Sequence, residues 1–390
     1  MRRFPLLLLL AALPALPSSV AALEVRFHPG EVVYTYEADA AHQLSSLMLQ
    51  NVAVVQKDGP PVVVESLGVE LRAGGQTIQT VVVTPAELEA AAQRLAALDA
   101  QGLLKLYDFA FQTSRSLGPG IRPAADRNVA PGTGLLVSGK AFLLSGKADE
   151  LVVTARCRDA AGQPVEAAGR LKVAVHKSAN TYRFPLAGIT YVGAAPSLNS
   201  HHRWAPNQEF ALDLLALGGE GTTHKGSGAR LDDYYAYGRD VLAVADGEVV
   251  ESAADGVEAH DRLRQPGESA ADFEKRTLQA QNALLAKSIK APLGNYVIVR
   301  HAGGEHSHYA HLKQGSVRVK AGEAVKSGQV LGQLGHTGNS TEPHLHFQVT
   351  DGPDPMYSRG LPVAFQGVEE VGLGYPPGTP LQSGWIVRSK

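Results

Sequence analysis

The sequence predicts a mainly β protein in two parts: an N-terminal β-sandwich-like module and a C-terminal antiparallel β-sheet domain carrying a helical insertion. Three observations predict it. Short Val-rich runs recur along the 390 residues, 41 glycines and 23 prolines punctuate them, and most of the 14 histidines fall after about residue 181. Frequent turns between short runs of branched residues favour antiparallel sheet. A change of residue chemistry partway along a chain of this length points to a second unit.

Composition narrows the classes. Hydrophobic residues make up 44% of the chain and charged residues 19%, enough apolar material for packed cores. The formal net charge of -2 gives no basic surface, so nucleic acid is not an expected partner. Residues 1–22 have the pattern of an export segment: Arg2 and Arg3 precede an apolar run over 6–16, and Val20, Ala21 and Ala22 offer a small-residue cleavage site. That run is shorter than the roughly 20 residues of a spanning helix, and no later segment approaches that length. The mature chain is therefore expected outside the cytoplasm, periplasmic or secreted, without a transmembrane segment. Cys157 is the one cysteine, so no internal disulfide can form and packing must hold the fold.

Residues 23–180 make the first module. Strand-like runs at 31–36, 61–64, 151–157 and 171–175 are separated by Gly and Asp clusters. A helix is expected from Thr84 to about Ala100. Thr84 suits the N-cap, Pro85 the first helical position, and Glu87 completes a capping box. His28, His42 and His176 are scattered here and fit structural or surface roles.

Residues 181–390 make the second. Strands are expected at 240–245, 248–250, 295–300, 329–334 and 344–349, with Asp246 and Gly247 forming a hairpin turn between the first two. An insertion at about 257–290 has a helix-prone core over 270–289, with Ser269 as N-cap and Pro292 and Gly294 beyond its end. It could cover a cleft or simply decorate the domain.

The chemistry lies in three places. His344 and His346 alternate on a strand, so both rings leave one face, about 6.5–7 Å apart at Cα. The glycine-rich approach through Gly335 and Gly338 delivers that strand to a defined position. Tyr309, Ala310 and His311 form a second signal. His201 and His202 form a third, followed by Asp213 at the end of an apolar run. Zinc takes imidazole nitrogen and carboxylate oxygen in a tetrahedron, with one position left for water at catalytic sites. His202, Asp213 and His346 would supply three ligands and leave the fourth position open.

Together these pieces resemble the lysostaphin-like zinc endopeptidases of bacterial cell walls. The His and Asp pair, the Tyr-x-His step and the closing His-x-His correspond to His202 with Asp213, Tyr309 with His311, and His344 with His346. The segment 237–249, from Tyr237 through Asp246 and Gly247 to Val249, shares in the resemblance, which spans about 190–350. It implies that the C-terminal sheet is a peptidase domain holding one Zn²⁺ per chain, with His311 and His344 as catalytic residues beside the metal. It also implies a peptidoglycan or peptide substrate. Two departures stand out. Eleven positions separate His202 from Asp213, which keeps His201 open as the ligand. His224 with Asp232 or Asp233 is a second conceivable pair, disfavoured because only Asp213 ends a strand-like run. Glu342 replaces the glycine usual before the closing motif, a change expected to alter the cleft rim rather than the metal. His260, His301, His306, His308 and His336 are expected at the surface or behind the site, although His306 and His308 form a second His-x-His.

No His-Glu-x-x-His helix occurs, so histidines must do the proton transfer that the glutamate does there. Two rivals stand beside the enzyme. A catalytically inactive member that binds or regulates another cell-wall hydrolase would lack one of the five positions, and all five have candidates. A biotinyl- or lipoyl-type carrier would need a lysine at the tip of a tight turn, and the turn at Asp246 and Gly247 has none.

Overall fold

The computed structural model describes residues 23–39, 43–198 and 200–389; the expected export segment 1–22 and His42 lie outside them. The chain is mainly β. Its N-terminal part builds one curled ten-stranded sheet among the described residues. The principal strands are β1 (Val32–Asp39), β2 (Leu44–Gln56), β3 (Val62–Ala73), β4 (Thr133–Ser145), β5 (Glu150–Asp159) and β6 (Pro164–Ala174). They run in the order β3-β5-β6-β1-β2-β4, antiparallel throughout except for the parallel pair β6 and β1. The curl brings Leu47, Val54 and Phe142 into one core with Val64, Leu71 and Val153, as the facing layers of a sandwich would. Cys157 sits in that core, where burial pushes its thiol up to about 12.

Helix α1 (Pro85–Ala100) starts as its capping box predicts. Thr84 Oγ1 accepts from Glu87 N, and a Glu87 carboxylate oxygen accepts from Thr84 N at 2.8 Å. Lys140 of β4 then ties Glu87 to the sheet at 2.6 Å, while Leu88, Ala92 and Leu95 form the buried face.

The C-terminal part builds a second large sheet. Its centre is β7 (Leu212–Leu215), β8 (Gly247–Ala253), β9 (Asn295–Arg300), β10 (His306–Leu312) and β11 (Leu345–Thr350), in the order β8-β9-β10-β11-β7 and antiparallel throughout. In register, Phe347 of β11 lies opposite Tyr309 of β10 and Leu212 of β7, and all three join Val297, Val299 and Leu345 in the core. Strand alternation then sends the next residue, His346, to the other face. There it lies opposite Asp213 on one side and Ala310 on the other. The insertion between β8 and β9 is helix α2 (Ala270–Lys287), with Ser269 Oγ accepting from Asp272 N at 3.1 Å.

One local expectation fails. Residues 240–250 do not form a hairpin across Asp246 and Gly247. Asp240–Leu242 pairs with Val330–Gln333 in a separate two-stranded sheet, whereas β8 pairs with β9. Between them the backbone bonds to distant partners: Leu242 N to Pro185 O, Ala243 N to Gln329 O, and Val244 N to the Tyr309 hydroxyl. Asp246 instead accepts from Lys326 Nζ and Ser327 N, both at 2.8 Å. Turn propensity is local; these long-range partners override it.

The two parts are joined by buried polar contacts. The carboxylate of Glu305, 6% exposed, accepts from His176 Nε2 at 2.9 Å, Asn180 Nδ2 at 2.8 Å and Tyr182 Oη at 2.6 Å, and from Ser178 Oγ. Burial alone would raise the Glu305 carboxyl, but these hydrogen bonds outweigh it and hold it at about 2. Tyr36 Oη of β1 donates to Leu381 O at 2.6 Å. No described helix is long and apolar enough to cross a membrane.

Candidate metal centre

Three elements converge on Asp213. A 3-10 turn (His201–Trp204) carries the paired histidines, β7 carries Asp213, and β11 carries His346, with His344 immediately before its first residue. His202 Nε2 lies 2.9 Å from Asp213 Oδ2, and His346 Nδ1 lies 3.1 Å from Asp213 Oδ1. The other nitrogen of each ring faces an amide oxygen: Gln208 Oε1 at 3.4 Å from His202 Nδ1, and Gln348 Oε1 at 3.0 Å from His346 Nε2. An imidazole held in this way presents its remaining nitrogen to a cation in a fixed direction. Burial alone would raise the Asp213 carboxyl, but the His202 and His344 rings and the hydrogen bonds from His202 and His346 hold it well below the usual carboxylate range. Burial would lower His202, yet Asp213 outweighs it and raises the ring. The pocket therefore favours positive charge, as a proton or as a metal ion.

His201 stands beside this group. Its Nε2 is 3.7 Å from Asp213 Oδ2, and the donor atoms of His201, His202 and Asp213 lie within 4.8 Å of one another. The neighbours differ in environment: the His201 side chain is 73% exposed and that of His202 is 5% exposed. Only a buried, hydrogen-bonded ring has its direction set by the fold.

His311 and His344 face the same space. Their ring centroids are 4.7 Å apart, and that of His311 is 5.9 Å from His346. His311 Nδ1 donates to Thr337 O at 2.8 Å, and His344 Nδ1 to Glu342 O at 2.7 Å, so either ring in its neutral form keeps its lone pair on Nε2. Burial, with the His344 and His346 rings, holds His311 well below the ordinary imidazole range. Strict alternation would place His311 on the core side with Tyr309, which packs on Phe347. A φ of +62° at His311 turns it out to the histidine face instead. That left-handed conformation costs a non-glycine residue roughly 1–2 kcal/mol.

The remaining candidates are placed elsewhere. His224 packs on Tyr234, away from this group. His306 and His308 are buried along β10, with His308 Nε2 2.6 Å from Thr350 Oγ1 and neither ring lining the cleft. The Glu342 carboxylate accepts from Thr223 Oγ1 at 2.6 Å, and the residue is not among those lining the cleft. Its backbone carbonyl holds His344, so the side chain at this position is independent of the ring.

The site opens into a cleft of about 520 Å³. Thr277, Gln281 and Leu285 of α2 form one wall, so the insertion is part of the cleft. Phe109 and Ala110 of the N-terminal part close it beside them, and Tyr107 Oη bonds to Asn282 of α2. Among the described residues Asp213 is the one carboxylate lining the cleft, and no lysine or arginine joins it. Sequence reasoning missed the two glutamines behind the rings and the N-terminal contribution. Gln348 was within reach, since it follows His346 by two on the same strand; Phe109 gave no local signal.

Residues 280–357 match the model of peptidase family M23, a stretch that includes His311, His344 and His346. Over 77 residues the chain is 39% identical to the DD-carboxypeptidase/endopeptidase Mpg of Neisseria meningitidis serogroup B, covering 20% of this chain and 17% of that protein. Over 55 residues it is 49% identical to the peptidoglycan DD-endopeptidase ShyC of Vibrio cholerae serotype O1, covering 14% of this chain and 12% of that protein. The matched stretches thus span less than a fifth of either relative. The catalytic domain of lysostaphin from Staphylococcus simulans aligns over 46% of this chain and 88% of its own, with 19% identity and a TM-score of 0.23.

Proposed function

We propose that this chain, which belongs through its C-terminal part to peptidase family M23, is an exported zinc metalloendopeptidase that hydrolyses peptidoglycan stem-peptide cross-links. The observation that carries the reading is one carboxylate, Asp213, seated between His202 Nε2 and His346 Nδ1 while the Nε2 atoms of His311 and His344 face the same cleft. Two imidazole nitrogens and one carboxylate are a donor set of catalytic zinc sites, whereas calcium and magnesium take oxygen cages. His202 is preferred to His201 because its direction is set by Gln208 and by burial.

A Zn²⁺ held by these three residues would supply Lewis-acid polarisation of the scissile carbonyl and a water acidified to a pKa of about 7. The protein supplies the rest. One of the two flanking rings, His311 or His344, takes the proton of the attacking water on Nε2 and returns it to the leaving amine. Neither ring can donate from Nε2 until it has been protonated, because its own proton is committed to a carbonyl. The proton it accepts therefore makes it the donor for the oxyanion or the amine. Apart from Asp213 and the histidines the lining is uncharged, which suits a peptide backbone without demanding a charged side chain. Relatives named as DD-endopeptidases support peptidoglycan as the substrate and hence action outside the cytoplasm, periplasmic or secreted.

The test is digestion of purified sacculi by zinc-loaded and by chelated protein, with the products resolved by mass spectrometry. Cross-linked muropeptides should fall to monomers with the loaded protein alone. If zinc-loaded protein binds sacculi and releases nothing, the hydrolase reading gives way to that of an inactive binding or regulatory member.

A further inference from the structure

We infer that the N-terminal sheet is a structural part of the metal centre: Gln50 and Ser46 of β2 hold the segment that carries His202 and are positioning residues for that ligand. This rests on the assignment of His202 as a ligand.

The segment from Ser200 to Ala211 is a 3-10 turn followed by irregular chain, with no regular ladder to hold it. Side chains do so instead. Arg203, fully buried, donates to Glu209 Oε1 at 3.3 Å, to Pro196 O at 3.2 Å and to Ser46 Oγ at 2.7 Å. Gln50, 5% exposed, uses Nε2 twice: 2.9 Å to Arg203 O and 2.9 Å to Glu209 Oε2. Positions 203 and 209 are the immediate chain neighbours of His202 and of Gln208, the residue that faces His202 Nδ1. One amide from the N-terminal sheet thus fixes the backbone beside the imidazole and beside its support. A second contact seats the same turn. The Trp204 ring lies over Gly139 of β4, where an added Cβ would meet it at 2.5 Å.

Buried groups of this kind cannot relax into water when a partner is lost. Removing the Gln50 amide leaves Arg203 O and Glu209 Oε2 without that donor, and the turn must shift to recover one. His202 moves with it. Loss of support behind a metal-ligating histidine typically weakens binding 10- to 100-fold. Gln50 acts one step further out, so a loss of about tenfold is expected.

The experiment uses the full chain. Zinc affinity is measured by competition with a chromophoric chelator, and ligand geometry by the absorption spectrum of the Co²⁺-substituted protein. Gln50→Met should weaken zinc about tenfold and change the cobalt spectrum, and Ser46→Ala, a milder change should Gln50→Met fail to fold, should do both to a lesser degree. Gln56→Met is the control. Gln56 lies on the same strand, is 3% exposed and donates to Pro60 O at 2.6 Å, away from the turn. That substitution should lower the melting temperature and leave zinc affinity and spectrum as in the wild type. The inference is overturned if Gln50→Met and Ser46→Ala keep wild-type affinity and spectrum and only melt earlier, as the control does. A wild-type chain that takes up no zinc would overturn the metal centre as well, a result distinct from a loss confined to the β2 variants.

Discussion

Gln348 offers the sharpest measure of how the site is held. It is 2% exposed, its Oε1 lies 3.0 Å from His346 Nε2, and its Nε2 donates to Pro355 O at 3.4 Å. Gln348→Met keeps the side-chain volume and removes both bonds. Pro355 O keeps a donor, Asn207 Nδ2 at 2.9 Å, so the atom left without a partner is His346 Nε2. One unpaired buried polar atom costs about 1–3 kcal/mol, and this should appear as lost stability in the zinc-free protein. Loss of orientation adds a separate effect: zinc binding should weaken about 10- to 100-fold. Because zinc stabilises the native state by mass action, saturating zinc should then stabilise the variant less, by roughly 1.4–2.7 kcal/mol. Urea unfolding in chelator measures the first quantity, and chelator competition with unfolding in excess zinc measures the second. A variant that loses zinc-free stability but binds zinc within about twofold of wild type would refute the orienting role of Gln348.

Three further outcomes follow from the same geometry. Asp213→Ala and His346→Ala should abolish stoichiometric zinc by elemental analysis, whereas His311→Ala and His344→Ala should retain zinc and lose about 10²- to 10⁴-fold in turnover; full zinc in Asp213→Ala protein would overturn the ligand assignment. Glu305 has a depressed carboxyl, so its contribution to stability is complete above its unfolded value of about 4.3 and is lost as pH falls through about 2. Acid unfolding followed for wild type and Glu305→Gln should therefore converge at low pH, and curves that stay parallel would disprove the role given to Glu305. Cys157, with its thiol pushed up to about 12 inside the N-terminal core, should resist thiol reagents in the native protein and react only on unfolding; rapid labelling under native conditions would contradict that burial.

Much of the site was legible because part of it obeys simple periodicity. His344 and His346 share a face through strand alternation, and Asp213 stood out as the carboxylate of an apolar run, although β7 continues past it to Leu215 rather than ending there. The capping box at Thr84 and Glu87 marked α1 for the same reason: every contact it needs lies within one turn. Legibility ended where the deciding partner was distant. The expected hairpin at Asp246 and Gly247 gave way to backbone bonds donated to Pro185, Gln329 and Tyr309. His201 and His202 could not be separated because a 3-10 turn has no repeating face; Asp213, Gln208 and differing burial distinguish them only in three dimensions. The outward turn of His311 rests on a single positive φ, which a Tyr-x-His pattern does not encode. The part played by Gln50 in supporting the His202 turn was equally hidden, since it lies 153 positions from Arg203.

The register that sets Asp213 opposite His346 joins residues 133 positions apart. Contacts of such separation form only after long loops have closed, which places them late in the assembly of a sheet. A chain that has not yet folded therefore owns no pocket able to capture an ion through these two residues together. Any ion that this pair holds would be taken up after folding, from the compartment in which the chain folds.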